Sequence, residues 1–470
     1  MGQRNLKILA REVADVLGAH LITGPIDVVF EGISTDSRDI RRGELFWALK
    51  GERFDGHDFV KKAVDSGALG AVVSNNQANR FAGLDATILG VDDTLHALGD
   101  LAHWWRMRHS VLVGAVTGSV GKTTTKEMAS CILSLQHETL KTEGNFNNLI
   151  GLPLTLFRLE RRHGRAVVEL GMNRPGEIAR LTRIANPDAG VITEVGEAHL
   201  EGLGSLLGVA RAKLEMAQQM KQEALLIING DNPLLMDMAP KYRTDILTFG
   251  LGKHNHIRAV DIRKGPSGGT DFTITYGREK ATVNLKVAGR HNIMNALAAA
   301  GLCIGLKEDL AMVAKGLEQF HGLRGRFELV HLPLDVTLVD DTYNANPVSL
   351  KAALEGVRNL VTKRGQLIIG LGDMLELGEA AEQAHVEAGQ WVGSVDPKLF
   401  VAIGQYAGRM VKGAREKGVP GKAIREVNSL EEMASAIEEA MLPGDVILLK
   451  ASRKIKLDKV REMLEDRHKL

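Results

Sequence analysis

The stretch VLVGAVTGSVGKTTTKEMASCILSL, residues 111–135, decides the reading of this chain. An apolar run ending at Val116 passes into Thr117, Gly118, Ser119, Val120, Gly121, Lys122, Thr123 and Thr124, after which Met128, Ile132 and Leu135 recur at helical spacing. Strand, glycine loop and helix in that order make a phosphate cradle. Backbone N–H groups and the positive end of the helix point at an anion, while a lysine and a hydroxyl reach the terminal phosphates and a magnesium ion. The usual pattern has its first glycine where this chain has Val116; the glycine stands at Gly118 instead, giving the shorter form TGxxGKT. A bare glycine turn with a surface lysine leaves the Gly-Lys-Thr-Thr-Thr run unexplained.

At 470 residues the chain has room for roughly three domains at about 150 residues each. Its composition, 44% hydrophobic and 25% charged, is that of a folded globular protein. Lysine plus arginine (59) nearly balances aspartate plus glutamate (58), so no general charge draws the protein to nucleic acid or to an anionic membrane. The two cysteines, Cys131 and Cys303, lie in apolar helical patterns and argue against a disulfide framework. With no apolar run of about 18 residues and no signal-peptide core, a soluble, cytoplasmic protein is expected, as a monomer.

The fold class that follows is α/β in three domains. Residues 1–107 read as a small N-terminal α/β domain, with strands Val28 to Ile33, Glu44 to Leu49 and Ala71 to Ser74, a helix His57 to Ser66 and another Thr94 to Arg108. Its polar clusters, Ser34-Thr35-Asp36-Ser37-Arg38 and Gly51 through Asp55, Gly56 and His57, are compatible with turns and a helix cap.

Residues 108–323 read as a central P-loop ATPase-like domain with a mostly parallel sheet. The connector after the phosphate loop is dense in amides, at Asn145, Asn147 and Asn148. Strand Ala166 to Val168 ends at Glu169, where ligands bind in open α/β sheets, so Glu169 is either a magnesium ligand or a surface carboxylate. Strand Val191 to Val195 ends in a tip carrying His199. In the helix Leu206 to Met220, Lys213 lies inside an apolar stripe made by Val209, Ala210, Met216, Ala217 and Met220 and should be largely buried. Such a lysine reaches solvent along its stem, pairs with a carboxylate, or becomes a neutral amine open to carbamylation. Thr270 to Tyr276 and Thr282 to Val287 read as a hairpin, and Asn292 and Asn295 share one face of the next helix, Asn292 being explicable as a cap.

Residues 324–470 alternate strand and helix as a C-terminal Rossmann-like, doubly wound domain. Polar tips follow its strands, including Asp341 through Asn344 and Asn346, Gly372 to Gly378, and Lys450 to Arg453; together they suggest a ligand crevice rather than separate caps.

Taken in order, TGSVGKTTTK, GNFNNLIGLPLTL, VVELGMNRPGEI, GEAHLEGLGSL, GRHNIMNALAA, GLRGRFE, DDTYNANP and GDMLELGE resemble the bacterial Mur ligases over nearly the whole chain. The resemblance implies ATP-dependent amide-bond formation through an acyl phosphate in peptidoglycan precursor synthesis. WALKGERFDGHDF, DDTYNANP and GDMLELGE are similar to the member that joins D-alanyl-D-alanine to UDP-N-acetylmuramoyl-tripeptide. It further implies that residues 117–124 and Lys122 hold ATP, that Thr123, Glu169 and His199 bind Mg2+, and that a carbamylated Lys213 supports a second metal. Asn292 and Asn295 would contact adenine, and Arg326 and Asp341 would close the ATP site. Ser37, Arg38, Asp55, Gly56 and His57 would serve the UDP-sugar, with Asn145, Asn147, Asn148, Asn344 and Asn346 completing the substrate contacts and residues 324–470 binding the incoming dipeptide.

Two positions depart from the family pattern: Leu149 stands where a polar residue is expected, and Ala451 where glycine is commoner. The competing readings are the preceding ligase step, which adds a diamino acid to the dipeptide substrate, and a non-synthetic nucleotide switch. No DNPR-like motif supports the former, and a switch would not need Glu169, His199 and Lys213 together.

Overall fold

The computed structural model describes residues 6–51, 53–197, 200–265, 268–362 and 364–467. Near the N-terminus a five-stranded sheet runs in the order His20–Thr23, Thr87–Val91, Gly70–Ser74, Glu44–Trp47, Gly32–Ser34, antiparallel only at its first pair. The strand expected over Val28 to Ile33 is two pieces. Val29–Phe30 pairs with Ile8–Leu9, and Gly32–Ser34 joins the larger sheet, because Glu31 turns its N–H to Gly43 O between them. The expected helix from His57 begins as a 3-10 turn, Gly56–Phe59, with the α-helix confined to Val60–Asp65. Helix Thr94–Met107, capped by the Asp93 carboxylate on His96 N, leads to the phosphate loop.

The central sheet has nine strands, with Leu112–Thr117 flanked by parallel neighbours Arg165–Glu169 and Ala189–Ile192. Register decides the site: Glu169 stands opposite Val116, and Ile192 opposite Thr117. A carboxylate at the end of one strand is thereby set beside the loop that leaves the next. The strand expected to reach Val195 stops at Ile192; Thr193 N still donates to Thr117 O at 2.9 Å, and its hydroxyl turns onto Val120 O at 2.5 Å. The hairpin is present as Thr270–Tyr276 and Glu279–Leu285 around Gly277-Arg278.

The third sheet has six strands, in the order Glu328–Leu332, Val336–Asp341, Val446–Lys450, Leu367–Gly372, Leu399–Ile403, Ile424–Val427; only the first is antiparallel. Sequence reading passed over its two edge strands and the helices Ala407–Glu416 and Asp458–Arg467. Edge strands that are half exposed carry a weak apolar signal.

Residues of the first and central sheets share one apolar core, which runs from Leu6, Trp47, Leu101 and Trp105 to Val113, Leu156, Ile178 and Ile184. The C-terminal residues pack into cores of their own. Among the described residues no helix is long and apolar enough to cross a membrane.

Candidate active site between the central and C-terminal sheets

The phosphate loop is held by contacts that only its own residues permit. Gly118, at φ 151°, lies so close to strand Ala189–Ile192 that a Cβ would stand 2.0 Å from Thr193 Oγ1, and at Gly121, φ 84°, a Cβ would stand 2.3 Å from Asn295 Oδ1. Neither position admits a side chain. Ser119 Oγ donates to Gly196 O at 2.9 Å and Thr117 Oγ1 to Leu170 O at 2.9 Å, so the loop is tied to both neighbouring strands. The displaced glycine is thus where the loop crosses Thr193.

Helix Lys122–Leu133 begins inside the loop, which puts Lys122 and Thr123 in its first turn. Lys122 Nζ donates to Gly118 O at 2.8 Å. Burial pushes its pKa down, Glu169 pulls it back up and Arg326 adds to the lowering. Thr123 Oγ1 donates to Glu169 Oε2 at 2.9 Å, and Asn147 Nδ2 donates to Glu169 Oε1 at 2.8 Å. Glu169 is buried, so it is no surface carboxylate. Asn148 Oδ1 accepts from Gly151 N at 2.8 Å ahead of the following helix, and Asn145 lines the same cleft.

Lys213 is 1% exposed. Among the described residues no carboxylate pairs with it, and burial, together with the like charge of Lys122, holds its pKa well below the ordinary lysine value. The solvent-exposed alternative is thereby closed, and the lowered pKa favours the uncharged form. His199 lies outside the described residues.

The opposite wall of the cleft comes from the third sheet. Gly322, Gly325 and Phe327 have φ of 96°, 71° and 53°, and for phenylalanine this left-handed backbone costs about 1 kcal/mol or more. It is held by Phe327 N donating to Asp341 Oδ1 at 3.1 Å and by an edge contact of the ring with His291 at 4.8 Å. The turn aims Arg326 back across the cleft, where Nη2 donates to Thr123 Oγ1 at 2.9 Å while the guanidinium lies 4.0 Å from the Tyr343 ring centroid. Asp341 also accepts from Lys450 Nζ at 2.6 Å, and Lys450 donates to Asn344 O at 3.0 Å. Asn346 caps helix Pro347–Arg358, although it too lines the cleft.

The cleft has a volume of about 1330 Å3 and is lined by residues 119–124, by Asn145, Asn147, Asn148, Glu169, Asn292 and Asn295, and by Arg326, Asp341, Asn344 and Asn346. Asn292 does not cap its helix; its amide donates to Ala288 O at 2.7 Å, and Gly289 is the N-cap. From the first sheet's unit only Leu95 reaches the cleft among the described residues. Arg38 instead embraces Asp36, whose carboxyl its side-chain and backbone hydrogen bonds hold at about 2. Asp55 Oδ1 accepts from His57 N at 3.0 Å and pairs with its Nδ1 at 2.6 Å, and His57 Nε2 accepts from Ser74 N. Both nitrogens of that buried histidine are committed to the fold. Gly56 sits where a Cβ would meet Leu49 N at 2.6 Å, and Ser37 is half-buried beside Arg38.

Sequence reading missed His291, Tyr343 and the buried Lys126. Tyr343 sits inside a tip that had been singled out, whereas Lys126 looks like an ordinary surface residue of a helix.

The phosphate loop, a carboxylate in register with it and a facing basic wall on a separate doubly wound sheet define an ATPase-type site completed across two sheets. Family comparisons agree: the Mur ligase family catalytic domain matches residues 29–106, the Mur ligase middle domain residues 116–303, and the Mur ligase glutamate ligase domain residues 325–453. The chain is 38% identical to a UDP-N-acetylmuramoyl-tripeptide–D-alanyl-D-alanine ligase of Bacillus subtilis, over 98% of this chain and 99% of that protein. It is also similar to the crystal structure of MurF from Acinetobacter baumannii, with TM-score 0.88, 31% identity, and 98% and 99% of the two chains covered. A Thermotoga maritima MurF ligase solved in complex with ADP matches with TM-score 0.81 at 29% identity, covering 92% and 97%. This chain belongs to the Mur ligase family.

Proposed function

We propose that the protein is an ATP-dependent ligase that joins D-alanyl-D-alanine to UDP-N-acetylmuramoyl-tripeptide, yielding the pentapeptide, ADP and phosphate. The observation that carries this reading is the similarity, end to end, to the Bacillus subtilis ligase of that name. The cleft supplies the chemistry. A carboxylate resists attack by an amine because oxide would have to leave; transfer of a phosphoryl group to the tripeptide carboxylate gives an acyl phosphate with ADP released. The amine of D-alanyl-D-alanine then forms the C–N bond, phosphate departs and the nitrogen loses its proton.

ATP phosphates would lie along residues 117–124, with Lys122 swinging from Gly118 O to the terminal phosphates and Arg326 neutralising charge from the other wall. The residues fit a magnesium ion: Thr123 and the buried Glu169 present hard oxygen atoms side by side. Among the described residues no group of three or more His, Cys, Asp or Glu gathers at one point. Bound there, magnesium would offset phosphate charge during transfer. Among the described residues three lysines are fully buried; Lys126 and Lys450 have carboxylates at 2.8 and 2.6 Å, and Lys213 has none. A neutral Lys213 amine can add carbon dioxide and lose a proton, which turns an uncharged neighbour of Lys122 into an anionic, attractive one. Asn292 and Asn295 would face the nucleotide base, and the C-terminal tips would take the dipeptide. The free cysteines Cys131 and Cys303 suit a reducing compartment, and we assign the enzyme to the cytoplasm.

Phosphate release with UDP-N-acetylmuramoyl-tripeptide should require D-alanyl-D-alanine and fail with single amino acids. Release instead with a diamino acid on the dipeptide substrate would reassign the step. Lys213→Ala should lose activity and regain part of it with a short carboxylic acid; full activity without rescue would remove its proposed role.

A further inference from the structure

Lys126 is 1% exposed, lies one turn beyond Lys122 on the same helix, and has no part in the chemistry above. Its ammonium donates to Thr142 O at 2.6 Å and pairs with Glu127 Oε1 at 2.8 Å; Glu127 Oε2 is in turn held by Lys141 at 2.5 Å. Thr142 is itself fully buried and is the residue at which strand Thr139–Lys141 gives way to the amide-rich loop. Its hydroxyl accepts from Glu169 N at 3.0 Å, and five residues on Asn147 donates to Glu169 Oε1. Glu169 is therefore gripped at its backbone and at one carboxylate oxygen by a single segment, which is tied to the phosphate-loop helix by Lys126 on Thr142 O and by the neighbouring Lys141–Glu127 pair, and to strand Arg165–Glu169 by Thr142 N on Val167 O. A methionine would fill much the same space, so packing alone does not account for a buried ammonium here; its cost is met by the two contacts it makes.

We infer that Lys126 is a positioning residue: by clamping Thr142 it fixes the loop 142–148, and through Thr142 and Asn147 it sets the direction in which the Glu169 carboxylate faces Thr123. The inference rests on the reading of Glu169 as a metal ligand. It predicts a defect that is specific to the metal and separable from folding.

Lys126→Met should raise amide hydrogen exchange over residues 142–148 and weaken calorimetric binding of ADP in the presence of Mn2+ by about tenfold, the scale of one charged hydrogen bond. Binding of ADP without metal should stay within about twofold, since that contact is not one the clamp touches. Lys126→Arg should recover most of the loss. If Lys126→Met does not fold, Thr142→Val, which keeps the carbonyl contact and removes the hydroxyl under Glu169 N, carries the same expectation. Equal weakening with and without metal, or unchanged exchange and metal dependence in a folded variant, would overturn the proposal. Glu169→Gln serves as control: if it does not alter metal dependence the metal-ligand reading fails, whereas a defect in Glu169→Gln with none in Lys126→Met defeats only the clamp.

Discussion

Two junctions join the three larger sheets, and they are built of opposite materials. Between the first and central sheets, helix Thr94–Met107 packs on helices Gly151–Leu156 and Glu177–Ala185 within a single apolar core. The helices meet so closely that a Cβ on Gly99 would lie 2.6 Å from Ile184 Cδ1. The buried Arg106 closes the seam on Ala185 O at 3.1 Å and Asn186 O at 3.3 Å. Between the central and C-terminal sheets the seam is a cleft spanned by polar and edge contacts, Arg326 to Thr123 and Phe327 to His291, with Gly322 and Gly325 in left-handed backbone at the crossing. Apolar burial of the first kind holds two units as one body, whereas a few polar and edge contacts across a cleft leave relative motion available. We propose that the C-terminal unit closes on substrates, with the linker near 322–327 as hinge.

The contrast can be broken in three places. Leu101→Ala, in the shared core, should cost about 2–5 kcal/mol and lower the calorimetric transition of the first two units together. A separate melting of the first unit would contradict the fused junction. Arg326→Ala should leave melting almost unchanged and reduce ligase turnover by about 100- to 1000-fold, the range for a donor aimed at developing charge. An equal loss of stability and activity would make Arg326 a structural bolt. The smallest effect concerns His291. Burial lowers its pKa from 6.5 to about 4, opposed by Asp341 and aided by Lys450. The folded state then binds fewer protons than the unfolded chain between those values, so stability is full above about 6.5 and is lost as pH falls toward 4. Melting curves at pH 7 and 5 should differ more for the wild type than for His291→Gln.

Much of this was legible in the chain because short-range pattern and register coincide. The phosphate loop, Lys213's burial and the alternating C-terminal domain each follow from spacing within one element or its neighbours. Glu169 could be placed at a strand end but not settled as buried, since that depends on Asn147 and Thr142 folding over it. Lys126 was invisible for a related reason: its burial comes from the chain around Thr142, sixteen residues on, and not from the helix it occupies. The first-domain clusters show the converse. Asp55 and His57 have the composition of a ligand loop, and in the fold Asp55 accepts from His57 N and Gln77 Nε2 while His57 Nε2 accepts from Ser74 N. Composition shows that polar groups are present; only the fold shows how many remain for a ligand.

Amide hydrogen exchange with and without ATP and UDP-N-acetylmuramoyl-tripeptide tests the contrast most directly. The expected result is new protection at residues 324–327 and 341–346 facing the phosphate loop, with exchange in helices Thr94–Met107 and Glu177–Ala185 unchanged. Protection that instead develops along those two helices, with the linker unaltered, would contradict it.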